Sequence, residues 1–425
     1  MICLATSHRP ATRTRVGLPL LTLALLGVLA ACTDTAAEDD GDGETGDSAD
    51  TGEALACIDP GSELLPEAAA VEVPTDVSSI TCASGWATDA PTRSADWTVQ
   101  LGEVSEELYF APVYMEGHPE GGVVMIATGS FSRYDAAGDP LWSNDLAMTG
   151  QQQFALTVEE AGTIVRSIYD WNNETVTIER FDADGNLVEP ITVMWNSIYP
   201  SVWGLESFGS DLIIGAFDED ADGFYENTLI RLDAAGNQLL RKSTNMANGQ
   251  ILAVSDAGTV MFGTSPGFLV SLENGAVLGT LSPSTGFPST VVGGSADFFM
   301  AGGGSGDLVL GRYSGVGTER WLQAYDRAGL GEQSQAVDVG ADGTIVVGGT
   351  TQALDFIGGS WFGTQPLVIA ADADGNALWT DRMAAYGNVA AVAVSDGVYV
   401  AGMAETEAVA GQEPGLLYWL RRYSL

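Results

Sequence analysis

The strongest constraint on this chain is a unit that recurs from about Asp96 to the C-terminus. One copy reads Arg133-Tyr134-Asp135-Ala136-Ala137-Gly138-Asp139-Pro140-Leu141-Trp142, and others are Arg180-Phe181-Asp182-Ala183-Asp184-Gly185-Asn186 and Arg231-Leu232-Asp233-Ala234-Ala235-Gly236-Asn237. Altered copies follow at Ser271–Leu278, Arg312–Trp321 and Ala371–Trp379, so the turn glycines 138, 185, 236, 275, 317 and 375 fall at intervals of 39 to 58 residues. An apolar run, Asp-x-x-Gly and a further apolar residue make a hairpin: Asp bonds its own downstream backbone and Gly takes the positive φ. Ahead of each hairpin stands a small turn and a β-branched run, as in Gly122-Val123-Val124-Met125-Ile126 and Gly343-Thr344-Ile345-Val346-Val347, and seven such runs occur.

These runs are apolar at successive positions, which predicts strands covered on both faces, as when sheets stack radially. Four strands per unit at this period is a propeller blade. The chain is therefore expected to be all-β, a single β-propeller of seven four-stranded blades, with six and eight left open. The C-terminal Leu420–Leu425 matches a third strand, and Asp96–Leu101 matches the strand that should follow it. One blade is thus expected to be shared between the ends of the repeat region, which removes an open sheet edge. Trp97, Trp142, Trp321 and Trp379 recur at one register and are expected to pack between blades.

The units resemble the bacterial SBBP propeller repeats, most closely at Ala341–Gly349 and Asp372–Trp379, and are also similar to PQQ-type propellers, where the Asp-to-Trp spacing is one residue longer. The first resemblance implies a large secreted or envelope protein. The second implies a scaffold in outer-membrane assembly.

The first 95 residues carry no such repeat. Arg9, Arg13 and Arg15 precede an apolar run from Val16 to Ala31 that is interrupted by Pro19 and is too short to span a bilayer. Residues 1–31 read as a signal peptide. Its end, Leu29-Ala30-Ala31-Cys32, resembles the lipobox of bacterial lipoproteins, which implies cleavage before Cys32, lipidation of its thiol and stable membrane anchoring. Thr33 in the next position implies the outer membrane, hence a cell-envelope protein that is periplasmic or surface-exposed. Residues 32–56 carry acids and no base, cannot bury a core, and read as an extended tether. Residues 57–95 form a segment bounded by Cys57, which with Cys82 is the pair expected to form a disulfide in an oxidising compartment. The propeller takes residues 96–425.

The charge bounds the partners. Acids number 57 against 16 bases, for a net charge of −41, and removal of the leader takes it to about −44. Such a surface repels phosphate backbones, so nucleic acid is not expected as a partner. Beyond the leader, His118 is the one histidine and Lys242 the one lysine. That count argues against a Ser-His-Asp triad or a multi-histidine zinc site, while paired carboxylates for hydrolysis stay open.

One acidic stretch differs from the background. Asp218, Asp220, Asp222 and Glu226 stand at positions 1, 3, 5 and 9 with Gly223 at position 6, a pattern similar to EF-hand and integrin-type calcium loops, although no Glu follows at position 12. Calcium is the one cofactor expected. The shorter Asp182-x-Asp184-Gly185 and Asp372-x-Asp374-Gly375 read as turns. Longer connections collect on one face, where Trp171, Trp195, Tyr199, Trp203 and Trp361 are candidates to stack on sugars, with core packing as the alternative. The sequence thus points to a monomeric, non-enzymatic, membrane-tethered binding or scaffold propeller for protein or glycan ligands. The alternatives are a hydrolase or lyase using loop carboxylates and an outer-membrane assembly scaffold.

Overall fold

The computed structural model describes residues 56–57, 63–64, 90–103, 113–127, 129–146, 152–170, 175–194, 201–219, 225–244, 252–263, 267–281, 288–304, 307–325, 331–352, 364–405 and 415–425. Every element among them is a β-strand. The strands form seven antiparallel sheets, each ordered first to fourth from the axis outward: blade one (114–145), two (152–194), three (201–244), four (252–281), five (288–325), six (332–382) and seven (387–423 with 97–103). The first strands of successive blades touch all the way round, including Gly387–Val394 of blade seven against Tyr114–Gly117 of blade one.

Packing explains why the second strands are apolar at every position. All of Val123–Ala127 is buried. Val123 and Met125 join the cluster shared with Ala393, Tyr399 and Leu420 of blade seven, whereas Val124 and Ile126 join Leu156 and Ile164 of blade two. Successive side chains of one strand therefore serve opposite neighbours. The core accordingly divides into seven clusters, one for each contact between adjacent blades. The chain is a seven-bladed β-propeller, and its ring is closed.

Closure occurs in blade seven. Trp97–Glu103 pairs antiparallel with Leu416–Tyr423, setting Trp97 opposite Arg422 and Thr98 opposite Arg421. Attachment begins slightly earlier: Thr92 bridges to Thr380 on the outer strand of blade six, and Arg93 lies 5.6 Å over the Trp379 ring. The two-residue strands Ala56–Cys57 and Glu63–Leu64 add in parallel to the outer edges of blades two and three.

Several hairpin copies latch one blade to the next. Trp142 Nε1 and Arg133 Nη1, from the fourth and third strands of blade one, both donate to the Ala183 carbonyl in the Asp182 turn of blade two, at 2.9 and 2.8 Å. Trp321 and Arg312 of blade five do the same to Ala373 of blade six, at 3.1 and 2.9 Å. Trp97 reaches Ala136, and Arg180 reaches Ala234. The Trp142 ring lies on Gly185, whose φ is +78° and where a Cβ would stand 2.6 Å from the indole, so Gly is required there for two reasons. Each Arg is also paired within its own blade: Arg133 with Glu120, Arg180 with Glu159, Arg231 with Asp211 and Arg312 with Asp297.

Candidate functional site

The propeller has two unlike faces. Connections between first and second strands, and between third and fourth, are turns of at most five residues, while those on the opposite face extend to 353–363 and 406–415. The Asp-x-x-Gly turns are held by their own side chains. Asp182 Oδ1 accepts from the backbone N–H of Asp184 and of Asn186, at 3.0 and 2.9 Å, and Asp233 and Asp372 repeat this. Hydrogen bonds from Asn186 and Asn237 hold the Asp182 and Asp233 carboxyls below their ordinary range.

Polar groups also gather at the axis. Glu116, Glu206 and Asp338 occupy one register of the first strand in blades one, three and six, opposite Val124, Ile213 and Val346. The same register in the other blades holds Thr157, Ala253, Val292 and Ala393. The first strands contain no Lys, Arg or His. Blades one, three and six are not neighbours, so carboxylates there that sense one another must meet across the channel.

They do sense one another. Burial, then Glu206 and Asp338, raises Glu116 well above the usual carboxylate range. Burial and the charge of Asp338 push Glu206 up to about 8. Burial pushes Asp338 up to about 7, against the opposing pull of the Val394 and Val339 N–H groups, which donate to its two oxygens at 2.6 and 2.7 Å. Channel solvent reaches all three, which are half-buried, while protein encloses them on every side. At neutral pH such a group retains a proton that an exposed carboxyl would have lost.

The carboxylates lie near the tight-turn end of the channel. Beside Glu206, Ser207, Phe208 and Gly209 form one wall of a cavity of about 550 Å³, completed by Val158 and Glu160 of blade two and Val254, Ser255 and Asp256 of blade four. Nothing in this wall is basic, so the mouth is polar and negative. Among the described residues, no group of three or more His, Cys, Asp or Glu is arranged to hold a metal ion.

No protein-family model matches the sequence, and no curated protein does. Among solved structures, the chain is similar to the β-propeller domain of Cps50 (Swd1) from Myceliophteria thermophila, at 9% identity and a TM-score of 0.49, over 77% of this chain and 98% of that one. It is also similar to a protein of unknown function from Bacteroides caccae, at 12% identity and a TM-score of 0.40, over 64% of this chain and 94% of that one.

The residues singled out in the sequence fall in different places. Asp218 and Glu226 are set directly opposite one another near the end of a hairpin, while Asp220 and Asp222 lie outside the described residues. Trp171, Trp195, Tyr199 and Trp361 also lie outside them, as do Cys32 and Cys82; Cys57 sits in the short strand on blade two. Trp203 is half-buried, stacked on Phe262 of blade four at 6.1 Å and 16°, with Gly215 against its ring. Sequence reasoning missed Glu116, Glu206 and Asp338. Their signal was an acid inside an apolar run, as in Leu205-Glu206-Ser207 and Val337-Asp338-Val339, repeated at one register of a strand whose copies differ too much to align by eye.

Proposed function

We propose that this protein is a non-catalytic binding scaffold of the bacterial envelope, lipid-anchored through Cys32, that engages a protein or glycan ligand on its long-loop face. The observation that carries this reading is the asymmetry of the ring. One face is a set of short turns locked blade to blade by Arg and Trp, and every longer connection leaves from the other face. A rigid scaffold displaying variable loops on one side is the usual arrangement of a binding surface. The acidic tether of residues 32–56 would hold that face away from the membrane.

The test replaces 353–363 by a Gly/Ser segment of equal length and compares both proteins on glycan arrays and in capture from envelope extracts. The expected result is a ligand bound unchanged by the parent chain and lost in the variant. Release of a cleaved product would favour the hydrolase or lyase reading instead, and co-capture of outer-membrane assembly proteins would favour the assembly scaffold.

Calcium belongs to the same proposal. The register of Asp218 opposite Glu226 supports it, because it brings two of the four acidic positions level with one another on adjoining strands. EGTA is expected to lower the melting temperature of the parent chain and to leave Asp218→Asn/Glu226→Gln unchanged; no shift in the parent removes calcium from the account.

A further inference from the structure

We propose that His118 is an acid-sensitive latch between blades one and two, holding their tight turns together only as the neutral imidazole and releasing them on taking a second proton. His118 has no exposed surface and lies in the turn between the first and second strands of blade one. The backbone N–H of Glu120 can only donate, so Nδ1, 3.2 Å away, is the acceptor. The ring proton is therefore on Nε2, which donates to the Gly162 carbonyl of blade two at 3.1 Å. Gly162 is pressed against the same ring: a Cβ there would lie 3.3 Å from His118 Cε1.

Protonation adds a proton from solvent to Nδ1 and breaks no covalent bond. It sets an N–H against the Glu120 N–H, two donors face to face, at a ring with no exposed surface. Two charged groups face the ring. Arg133 opposes the added charge; Glu120, paired with Arg133 and exposed on its other side, favours it. On blade two, Glu159 is taken up by Arg180. On blade seven, Asp396 is engaged by the Gly122 N–H and the Tyr399 and Ser395 hydroxyls. Burial and Arg133 hold the imidazole below its ordinary 6.5, against the Gly162 carbonyl and Glu120.

The sign follows from linkage. The opened or unfolded form binds the proton more readily, so the latch is intact above about pH 6.5 and weakens as pH falls toward the lowered value of the closed form. The same turn is bonded to blade seven on its other side through Gly122, so acid loosening starts next to the blade in which the ring is closed.

The test follows the His118 ring resonance of the full chain between pH 4.5 and 8, together with amide protection at 118–122 and 159–163. The expected midpoint lies below 6.5, and protection in both turns falls by about tenfold per pH unit within the titration window. In His118→Gln, which keeps a donor toward Gly162 but cannot charge, protection is expected to stay flat relative to wild type. A midpoint at or above 6.5, or parallel loss of protection in wild type and His118→Gln, overturns the proposal. If the variant does not fold, the wild-type midpoint decides alone.

Discussion

At the scale of single residues, Arg180 illustrates how the ring is held. It is buried, pairs with Glu159 at 3.3 Å and donates to Ala234 of the next blade at 2.9 Å. Arg180→Ala leaves Glu159 buried without its partner and is expected to cost about 3 kcal/mol in urea unfolding. Arg180→Lys should recover little, since a point charge cannot serve two acceptors in the plane of a guanidinium. The Trp register was legible because Trp97, Trp142, Trp321 and Trp379 recur at one position of the fourth strand. Its partner was not, because the carbonyl it bonds belongs to another repeat 39 to 52 residues away. The Asp turns were legible for the opposite reason: their bonds close within four residues.

At the scale of elements, the unbroken apolar run of each second strand is the feature that translates most directly into structure. Its two faces supply two different blade contacts, so one truncation there opens one cluster. Ile213 on blade three has no exposed surface and packs with Leu252, Val260 and Phe268 of blade four; Ile213→Ala is expected to destabilise by about 2–5 kcal/mol. Blade four departs from the others. Its Leu269 stands where Arg133 stands in blade one, and Gly279 stands where Trp142 does. The backbone closes on the next blade instead: a Cβ on Gly279 would lie 2.7 Å from the Val316 carbonyl. With no donor pair across this junction, amides of blades four and five are expected to lose protection first in native-state hydrogen exchange. Equal protection at all seven junctions would count against the latch. The degenerate sequence at 271–278 hinted at this weakness without saying what replaced the missing side chains.

At the scale of the whole molecule, the axial carboxylates bring three blades into one electrostatic unit. Glu116, Glu206 and Asp338 have raised values in the folded ring, which therefore binds more protons than the unfolded chain does. Their favourable contribution is complete below their ordinary values of 3.8 for Asp and 4.5 for Glu and is lost as pH rises through the raised ones, about 7 for Asp338 and about 8 for Glu206. Between pH 6.5 and 8, above the His118 window, stability should therefore fall with rising pH. Glu206→Gln should flatten that fall, as read by urea midpoints across the range. None of this was visible in the −41 charge, because these carboxylates differ from the surface acids only in where the ring places them. The number of blades and the shared blade were visible, since both follow from counting strands and matching the two ends. That closure is the claim on which the channel, the cavity and the two faces all depend. It is tested most directly by placing cysteines at Thr98 and Arg421, which face one another across the seam. Opposite residues in an antiparallel pair are about 4.5–5.5 Å apart, within reach of a disulfide. The account predicts an intramolecular 98–421 cross-link in the purified monomer and a raised melting temperature. Failure to form it, or cross-links between molecules only, would contradict a ring sealed by its own two strands.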